Sequence, residues 1–459
     1  MEFKSAYLQR VYDGLEKRNA EQKEFLQAVA EVLESLEPVV AANPKLEELG
    51  VIERIVEPER IIQFRVSWVD DNGKVQVNRG YRVQFNSAIG PYKGGLRLHP
   101  SVNLSVIKFL GFEQIFKNSL TTLPIGGGKG GSDFDPKGKS DMEVMRFCQS
   151  FMNELYRYIG IDVDCPAGDM GVGGREIGYL YGQFKRLTGR YEAGALSGKG
   201  LAYGGSIGRP EATGYGAVYY ADEYFKSIGG SLKGKKVSVT GFGNVAWGAC
   251  KKLTEYGAIP VTISGPDGYV LDEEGITTPE KIAFLLEMRA SNRNEAKMYL
   301  EKFPNAKFVA GERPFGKVKA DIYMPCAMQN EIRIEEAKLI VSEGTAKDVI
   351  EVSNMPTTNE AMAYLQDNGI TMQASKAVNA GGVACSSLEM TQNAEHLPWT
   401  LEEVDEKLQR IMRGIFRACD EAAKEYKVTT KNGKPNYVAG ANLAGFKKVA
   451  AAMMEQGIV

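Results

Sequence analysis

Histidine is almost missing from this sequence: only His99 and His396 occur among its 459 residues. If the protein is an enzyme, its acid and base groups are therefore expected among Lys, Asp, Glu, Tyr and Cys. Cysteine is also scarce, with six scattered residues and no C-x-x-C spacing. This pattern predicts reduced thiols and argues against both a disulfide framework and a metal site.

Long apolar runs and blocks of one charge are missing as well. The formal net charge is −2, with no polybasic block and no acidic tail, so no nucleic-acid partner is expected. No window approaches the roughly 18–20 uncharged apolar residues of a membrane span. The amphipathic N-terminal stretch lacks the apolar core of a secretory signal. We therefore expect a cytoplasmic protein of ordinary globular composition with no membrane partner.

Glycine, in contrast, is abundant, and a run of five glycines surrounds Lys129 in the stretch LPIGGGKGG. A Gly-rich loop beside a lysine is typical of phosphate binding. The P-loop pattern Gly-x-x-x-x-Gly-Lys-Ser/Thr fails here, because Leu123 and Gly130 occupy two of its required positions. A phosphate-binding NTPase is disfavoured, and we expect this Gly-rich lysine loop to hold Lys129 against backbone for another purpose.

The length of the chain predicts two domains, because single cores rarely exceed about 250–300 residues. In the first part, the alternation of Ile62, Phe64, Val66 and Trp68 with polar residues predicts an antiparallel hairpin. A helix is predicted to begin near Ser101 or Asn103. Residues 132–203 are predicted to be helical with Gly-rich interruptions.

From about residue 204 the pattern alternates between short strands and helices, which predicts a parallel sheet with helices on both faces. We therefore predict an α/β fold of two domains, residues 1–203 and 204–429, with a C-terminal helix in 430–459 that completes the first domain. A ligand site is expected in the cleft between the two domains.

A dinucleotide-binding fingerprint, G-x-G-x-x-A, follows the predicted strand 235–240 and opens a predicted helix. Its residues are Gly241, Phe242, Gly243, Asn244, Val245 and Ala246. The glycines permit a tight turn and a close approach of backbone to a pyrophosphate, and the helix N-terminus offers N–H groups to the phosphates. Asp267, just past the next strand, is placed to bind a ribose 2′-OH, which favours NAD over NADP; it could equally be an ordinary turn residue.

Three lysines in the first domain, Lys93, Lys117 and Lys129, differ from ordinary surface lysines. Two lie among glycines, and Lys117 shares a helix face with Gln114. They either converge on a pocket for a substrate with two carboxylates or lie separately in solvent. Asp169, in the Gly-rich stretch CPAGDMGVGG, either caps a turn or relays protons beside a buried lysine.

Seven stretches together resemble the hexameric glutamate dehydrogenases of bacteria and lower eukaryotes, from about residue 50 to the C-terminus. These stretches are PYKGGLR, FKNSLTTLPIGGGKGG, CPAGDMGVG, GGSIGRPEATGYG, GFGNVAWG, NMPTTNEA and SKAVNAGGV. The resemblance implies a substrate-binding and oligomerisation domain, a Rossmann-like cofactor domain and a homohexamer. It implies reversible oxidative deamination of L-glutamate to 2-oxoglutarate and ammonium, with NAD as cofactor and NADP possible.

The resemblance also implies a role for each matching residue. Lys129 matches the lysine that activates water, and Asp169 matches the group that passes protons to and from the substrate nitrogen. The positions that match substrate-binding residues are Lys93, Gln114, Lys117, Ser197, Arg209, Asn379 and Ser386. The positions that match cofactor-binding residues are Thr213, Gly241, Phe242, Gly243, Asn244, Val245, Asp267, Asn354 and Asn379.

Within the substrate set, Lys93 and Ser386 match the γ-carboxylate site, and Gln114 and Lys117 match the α-carboxylate site. Ser387 leaves a one-residue ambiguity at Ser386. The related leucine and phenylalanine dehydrogenases bind apolar side chains, so these two γ-carboxylate positions favour a dicarboxylic amino acid. A catalytically silent nucleotide-binding protein is the rival from another class, and the presence of both Lys129 and Asp169 disfavours it.

Overall fold

A computed structural model describes residues 2–459, and the chain divides into two compact units. The first unit runs to Ile207 and includes Val383–Val404 and Asn442–Val459. The second unit comprises Gly208–Gly382 and Asp405–Ala441. The first boundary lies close to the predicted one at 203/204, whereas residues 383–404 pack with the first unit and residues 430–441 with the second.

Polar contacts with residues 199–206 hold residues 383–404 in the first unit. Glu389 forms an ion pair with Lys199, Gln392 donates to Ser206 Oγ, and Asn393 donates to the carbonyl of Gly204. Such non-local polar contacts leave no periodic signal in the sequence. The prediction of 204–429 as one continuous domain therefore could not include them.

The regular elements up to residue 207 are seven helices and five strands, apart from short 3₁₀ turns. The helices are α1 Ala6–Arg18, α2 Lys23–Ala42, α3 Lys45–Glu48, α4 Val51–Ile55, α5 Leu104–Leu120, α6 Asp141–Leu155 and α7 Gly174–Thr188. The strands are β1 Arg60–Val69, β2 Val75–Asn86, β3 Tyr92–Leu98, β4 Gly127–Ser132 and β5 Asp164–Gly168.

The remaining elements begin at residue 212. The helices are α8 Ala212–Ser227, α9 Asn244–Glu255, α10 Pro279–Ala290, α11 Ile334–Ser342, α12 Asn359–Asp367, α13 Ser375–Val378, α14 Gly381–Glu395, α15 Leu401–Glu425 and α16 Tyr437–Glu455. The strands are β6 Lys236–Val239, β7 Ile259–Gly265, β8 Gly268–Leu271, β9 Lys307–Ala310, β10 Ile322–Met324, β11 Asp348–Ile350 and β12 Thr371–Gln373.

The first sheet has five strands in the order β1-β2-β4-β3-β5. β1 and β2 form the predicted antiparallel hairpin, and the predicted alternation is visible in β1, where Val66 and Trp68 are buried and Arg65 and Ser67 are exposed. β4, β3 and β5 run parallel to one another. The predicted helix start at Asn103 is confirmed, since its side chain accepts from Val106 N at 3.0 Å.

The glycine run around Lys129 was expected as a loop, and that expectation was wrong. It forms β4, a strand hydrogen-bonded between β2 and β3. A Cβ at Gly127 would lie 2.6 Å from the side chain of Ile115, and a Cβ at Gly130 would lie 2.7 Å from Leu96. Glycine is needed here because helix α5 and strand β3 approach the backbone too closely for any side chain. β5 likewise lies inside the stretch predicted to be helical.

The second sheet has seven strands in the order β12-β11-β10-β6-β7-β8-β9. The first five are parallel, as predicted, whereas β8 and β9 are antiparallel additions at the edge. The predicted α/β class with two domains is confirmed. All six cysteines are buried free thiols. Within residues 2–459, none of the helices combines the length and the apolar character that a membrane crossing requires.

Candidate active site

Three neighbouring parallel strands bring together one acidic and two basic side chains near the carboxyl ends of β3 and β5. Lys129 lies on β4, Arg97 lies on β3, and Asp169 directly follows β5. Lys129 Nζ lies 3.2 Å from Asp169 Oδ2, and Arg97 Nε donates to the same oxygen at 2.9 Å. Because β3 pairs with β4 on one side and with β5 on the other, Lys129 and Asp169, 40 positions apart in the chain, become neighbours.

Burial and charge shift the protonation of this cluster. Burial lowers the pKa of the Lys129 ammonium, and the nearby guanidinium groups of Arg97 and Arg82 lower it further, against the opposing effect of Asp169. Burial alone would raise the pKa of Asp169, but the two cations outweigh it and hold that pKa at about 2. At neutral pH Asp169 is therefore a carboxylate, and Lys129 gives up its proton more readily than an ordinary lysine.

A third cation, Lys93, is completely buried on β3. Its Nζ donates to Ser197 Oγ at 2.6 Å and to the carbonyl of Cys165 at 3.0 Å. Two of the predicted substrate residues, Lys93 and Ser197, are thus in direct contact. The prediction that Lys93 differs from an ordinary exposed lysine agrees with its complete burial.

Helix α5 presents Gln114 and Lys117 as partly exposed residues among buried neighbours. Gln114 Nε2 donates to Asn118 Oδ1 at 2.6 Å. Asn118 in turn donates to the carbonyl of Lys93 at 3.0 Å and to that of Gly126 at 2.5 Å. Asn118 therefore fixes α5 against β3 and against the segment that leads into β4, and so it orients the helix that carries the predicted α-carboxylate residues.

A buried ion pair, which the sequence reading missed, holds the segment around Ser197. Lys199 Nζ donates to Glu389 Oε1 at 2.6 Å, and both side chains are almost fully shielded from solvent. Glu389 Oε2 also accepts from Gly198 N at 2.9 Å. α14 thereby clamps the turn that follows Ser197. Ser386 on the same helix is buried, but so is Ser387, and the one-residue ambiguity stays.

Arg97 and Arg82 were also missed. Arg82 is fully buried in β2, where it forms an ion pair with Asp164 and donates to the carbonyl of Gly94 at 3.1 Å. Arg82 thus joins β2 to β3 and β5, across β4. A signal for Arg97 did exist: in PYKGGLR it stands four residues after Lys93, which places both on one face of a strand.

In the second unit the fingerprint forms the expected strand, turn and helix. Gly241 has a φ of +81°, which favours glycine, and its N–H donates to Ser264 Oγ at 2.9 Å. Gly243 directly precedes α9, and a Cβ there would meet only open space. Ala246 is buried where α9 packs. The turn thus offers free backbone at a helix N-terminus, which suits a pyrophosphate.

Asn379 lies at the end of α13, and its Nδ2 donates to Asn354 Oδ1 at 2.9 Å. Its own Oδ1 is buried and accepts no hydrogen bond from residues 2–459. Since buried polar atoms normally have a partner, this oxygen indicates a ligand with a hydrogen-bond donor. Thr213 is partly buried in the first turn of α8, and Arg209 is partly buried just before it.

Asp267 lies in the tight turn between β7 and β8. Its carboxylate accepts from the backbone N–H groups of Ala296 at 2.8 Å and Lys297 at 3.0 Å. Asp267 therefore has a structural role in its turn, as one of the two alternatives predicted, because its carboxylate holds residues 296–297 in place. This arrangement also fixes a negative charge beyond the end of β7, where the fingerprint logic expects one.

The geometry accords with comparisons to known proteins. A family model described as the dimerisation domain of Glu/Leu/Phe/Val dehydrogenases matches residues 58–186. A model described as Glutamate/Leucine/Phenylalanine/Valine dehydrogenase matches residues 204–457. Together the two matches span most of the chain, one over most of each compact unit.

Among curated relatives, an NAD-specific glutamate dehydrogenase of Clostridium symbiosum is 60% identical over 455 residues, which cover 99% of each chain. An NADP-specific glutamate dehydrogenase of Escherichia coli is 52% identical over 452 residues, which cover 98% of this chain and 99% of the relative. A solved structure described as a glutamate dehydrogenase superposes with a TM-score of 0.95 at 59% identity, covering 99% of this chain and 100% of that one.

Proposed function

The chain belongs to the Glu/Leu/Phe/Val dehydrogenase family, and we propose from this premise that it is an NAD-dependent glutamate dehydrogenase. The reaction is the reversible oxidative deamination of L-glutamate to 2-oxoglutarate and ammonium. The near full-length similarity to proteins named glutamate dehydrogenase supports the reaction. The observation on the chain itself that carries the proposal is the contact between buried Lys129 and partly buried Asp169.

Lys129 acts as the base in this proposal. Burial lowers the pKa of its ammonium, so the neutral amine forms more readily than in an ordinary lysine and can take a proton from an attacking water. Asp169 stays ionised and lies 3.2 Å from Lys129 Nζ. It can therefore accept a proton from the substrate nitrogen during deamination and return one during amination.

Lys93 and Ser197 supply the recognition of a second carboxylate. Lys93 is a fully buried cation, and a buried cation in a substrate site favours a ligand that brings a negative charge. Ser386, buried on α14, is proposed to bind the same γ-carboxylate. Gln114 and Lys117 on α5 are proposed to bind the α-carboxylate, with Arg209 and Asn379 completing the substrate site.

The nicotinamide cofactor accepts or returns the hydride of this reaction when it is bound. The chain offers it the open turn from Gly241 to Val245 for the pyrophosphate, and the unsatisfied Oδ1 of Asn379 for a donor group. Thr213 and Asn354 are proposed neighbours of the same site. The residues present therefore fit a dinucleotide.

Use of NAD in preference to NADP rests on Asp267. Its carboxylate is fixed by two backbone N–H groups, so it cannot turn away from a ligand without losing them. A fixed negative charge disfavours a 2′-phosphate and accepts a ribose hydroxyl. Relatives with 60% and 56% identity are named NAD-specific, although others at 53% and 52% are named NADP-specific.

We further propose that the chain forms a homohexamer through its first domain, the one that binds the substrate. The resemblance supplies the number of subunits. The exposed apolar residues on the edge hairpin support self-association, because such a hairpin is a ready surface for pairing. These residues are Ile61, Val69, Val75 and Val77. A mass corresponding to six chains in light scattering is the expected result.

The test of the proposed reaction is steady-state oxidation of L-glutamate and L-leucine, followed by the absorbance of the reduced nicotinamide. We expect turnover of glutamate by the native chain, and a loss of about a hundredfold or more in kcat/KM for glutamate in Lys93→Leu. Lys74→Leu is the matched control, since Lys74 is exposed in the β1–β2 turn.

Three outcomes would contradict parts of this proposal. Full glutamate turnover by Lys93→Leu would remove Lys93 from the substrate site. Turnover of leucine but not glutamate by the native chain would overturn the substrate. No turnover of either amino acid with either cofactor would favour a catalytically silent nucleotide-binding protein.

A further inference from the structure

Two cations share one oxygen of Asp169. Arg97 Nε donates to Oδ2 at 2.9 Å, and Lys129 Nζ lies 3.2 Å from the same atom. Within residues 2–459, the other oxygen, Oδ1, accepts no side-chain or backbone hydrogen bond. Asp169 is therefore held on one side only.

Backbone pairing explains why Arg97 can hold this carboxylate firmly. β3 is paired on one side with β4, which carries Lys129, and on the other with β5, which ends at Gly168. Arg97 stands at the carboxyl end of this middle strand with only 12% of its side chain exposed. A guanidinium so constrained loses little further freedom when it binds a carboxylate.

We propose that Arg97 is a positioning residue for proton transfer: it binds Oδ2 of Asp169, fixes the carboxylate beside Lys129 and leaves Oδ1 for the substrate nitrogen. This inference rests on the proposed glutamate dehydrogenase function. Arg97 itself need not touch the substrate, since it acts through the orientation and charge of Asp169.

The charged surroundings decide what Arg97 contributes electrostatically. Lys129 lies on β4, and the positive charge of Arg82 on β2 lowers its pKa. From α7, Arg175 and Glu176 line a groove that also contains Asp169, together with Lys137. Arg175 is already engaged by Glu176 and by Asp141, so it is a poor substitute for Arg97.

Loss of Arg97 raises the pKa of both Lys129 and Asp169. The positive charge of Arg97 lowers the pKa of the Lys129 ammonium and also lowers the pKa of the Asp169 carboxyl. Deamination needs Lys129 neutral and Asp169 ionised, and both conditions require loss of a proton. Asp169 stays ionised throughout the neutral range, whereas Lys129 without Arg97 loses its proton only at a higher pH, so the rising limb of the deamination profile moves to higher pH.

The experiment measures kcat/KM for glutamate oxidation between pH 6 and 10 in the native chain, Arg97→Met, Arg97→Lys and Arg79→Met. In Arg97→Met we expect the rising limb to move up by about one pH unit and kcat to fall about ten- to a hundredfold. Arg97→Lys should keep the limb near its native position, because it keeps the charge. Arg79 is exposed on β2 and serves as the control that changes neither quantity.

A second measurement does not depend on turnover. The pH dependence of Lys129 acylation by an amine-reactive reagent, read by mass spectrometry, reports the neutral fraction of this amine. The midpoint should rise in Arg97→Met and stay unchanged in Arg79→Met. If Arg97→Met does not fold, Arg97→Gln removes the charge with less change of polarity and carries both measurements.

The outcomes separate this inference from the proposed function. If the native chain oxidises glutamate and neither the limb nor the acylation midpoint moves in Arg97→Met, Arg97 has only a structural role and the inference is overturned. If the native chain fails to oxidise glutamate, the proposed function fails, whereas an acylation midpoint that rises still supports the effect of Arg97 on Lys129.

Discussion

Substitution of Glu389 by Gln is expected to weaken the first unit strongly. Lys199 Nζ donates to three acceptors: Glu389 Oε1 at 2.6 Å, Asn393 Oδ1 at 2.9 Å and the carbonyl of Leu196 at 2.5 Å. Because Nζ has three N–H donors, all of them are used. Only Glu389 among these acceptors carries a negative charge, and the ion pair is almost fully buried.

Glu389→Gln keeps the shape of the side chain but leaves a buried ammonium without a counter-charge. In the native chain the N–H of Gly198 donates to Glu389 Oε2 at 2.9 Å. In the variant, the new amide NH₂ must face either this N–H or Lys199, and both are donors. Breaking one half of a buried ion pair costs about 3–5 kcal/mol. Lys199→Met should cost less, about 1–3 kcal/mol, because the carboxylate keeps its backbone donors.

The assay is calorimetric unfolding at one fixed protomer concentration, since self-association also contributes to stability. For a unit of this size, a loss of 3–5 kcal/mol corresponds to a fall in Tm of roughly 10 °C. The double variant Lys199→Met/Glu389→Gln buries no charge and should be more stable than the sum of the single effects by at least about 2 kcal/mol. Additive effects, or a single variant within about 2 °C of the native Tm, would refute this reasoning.

Two further substitutions test other parts of the chain. Asp267→Asn removes the fixed charge but keeps one acceptor for the backbone of residues 296–297, so the ratio of kcat/KM for NADP over NAD should rise by about tenfold or more; an unchanged ratio in parallel assays contradicts the cofactor assignment. Burial raises the pKa of Glu351 from 4.5 to about 7, so the folded chain binds this proton more tightly than the unfolded chain. This group should therefore contribute a loss of up to about 3 kcal/mol of stability between pH 4.5 and pH 7, so the loss measured by calorimetry at pH 5 and pH 8 should be smaller in Glu351→Gln than in the native chain; equal pH dependence in both proteins refutes it.

Several features could be predicted because their signals are local. The β1–β2 hairpin follows from the alternation of Val66 and Trp68 with polar residues, and the start of α5 follows from the capping side chain of Asn103. The strand, turn and helix around Gly241 follow from the fingerprint. The scarcity of histidine predicts acid and base groups of other types, lysine and aspartate among them.

The features that were missed depend on residues distant in the chain. Lys199 and Glu389 are 190 positions apart, and neither stands in a pattern that marks it. The role of Asp267 in holding residues 296–297 was invisible for the same reason. The sequence placed Asp267 just past a strand but gave no sign that β8 pairs back on β7, because Gly265-Pro266-Asp267-Gly268 gives the same turn signal before a loop and before a hairpin.

The strand around Lys129 was mistaken for a loop because glycine has a low strand propensity. The same glycines allow the close packing that places Lys129 beside Asp169. Lys129 must lie on a strand next to β3 for its Nζ to reach Asp169, and α5 must cover that strand closely. A side chain at Gly127 or Gly130 would meet Ile115 or Leu96 at less than 3 Å, so a sequence with ordinary strand residues could not bring these elements together. The close packing around Lys129, the proposed catalytic lysine, thus requires a composition that local propensity predicts to be irregular, which is the conflict expected where function constrains the sequence.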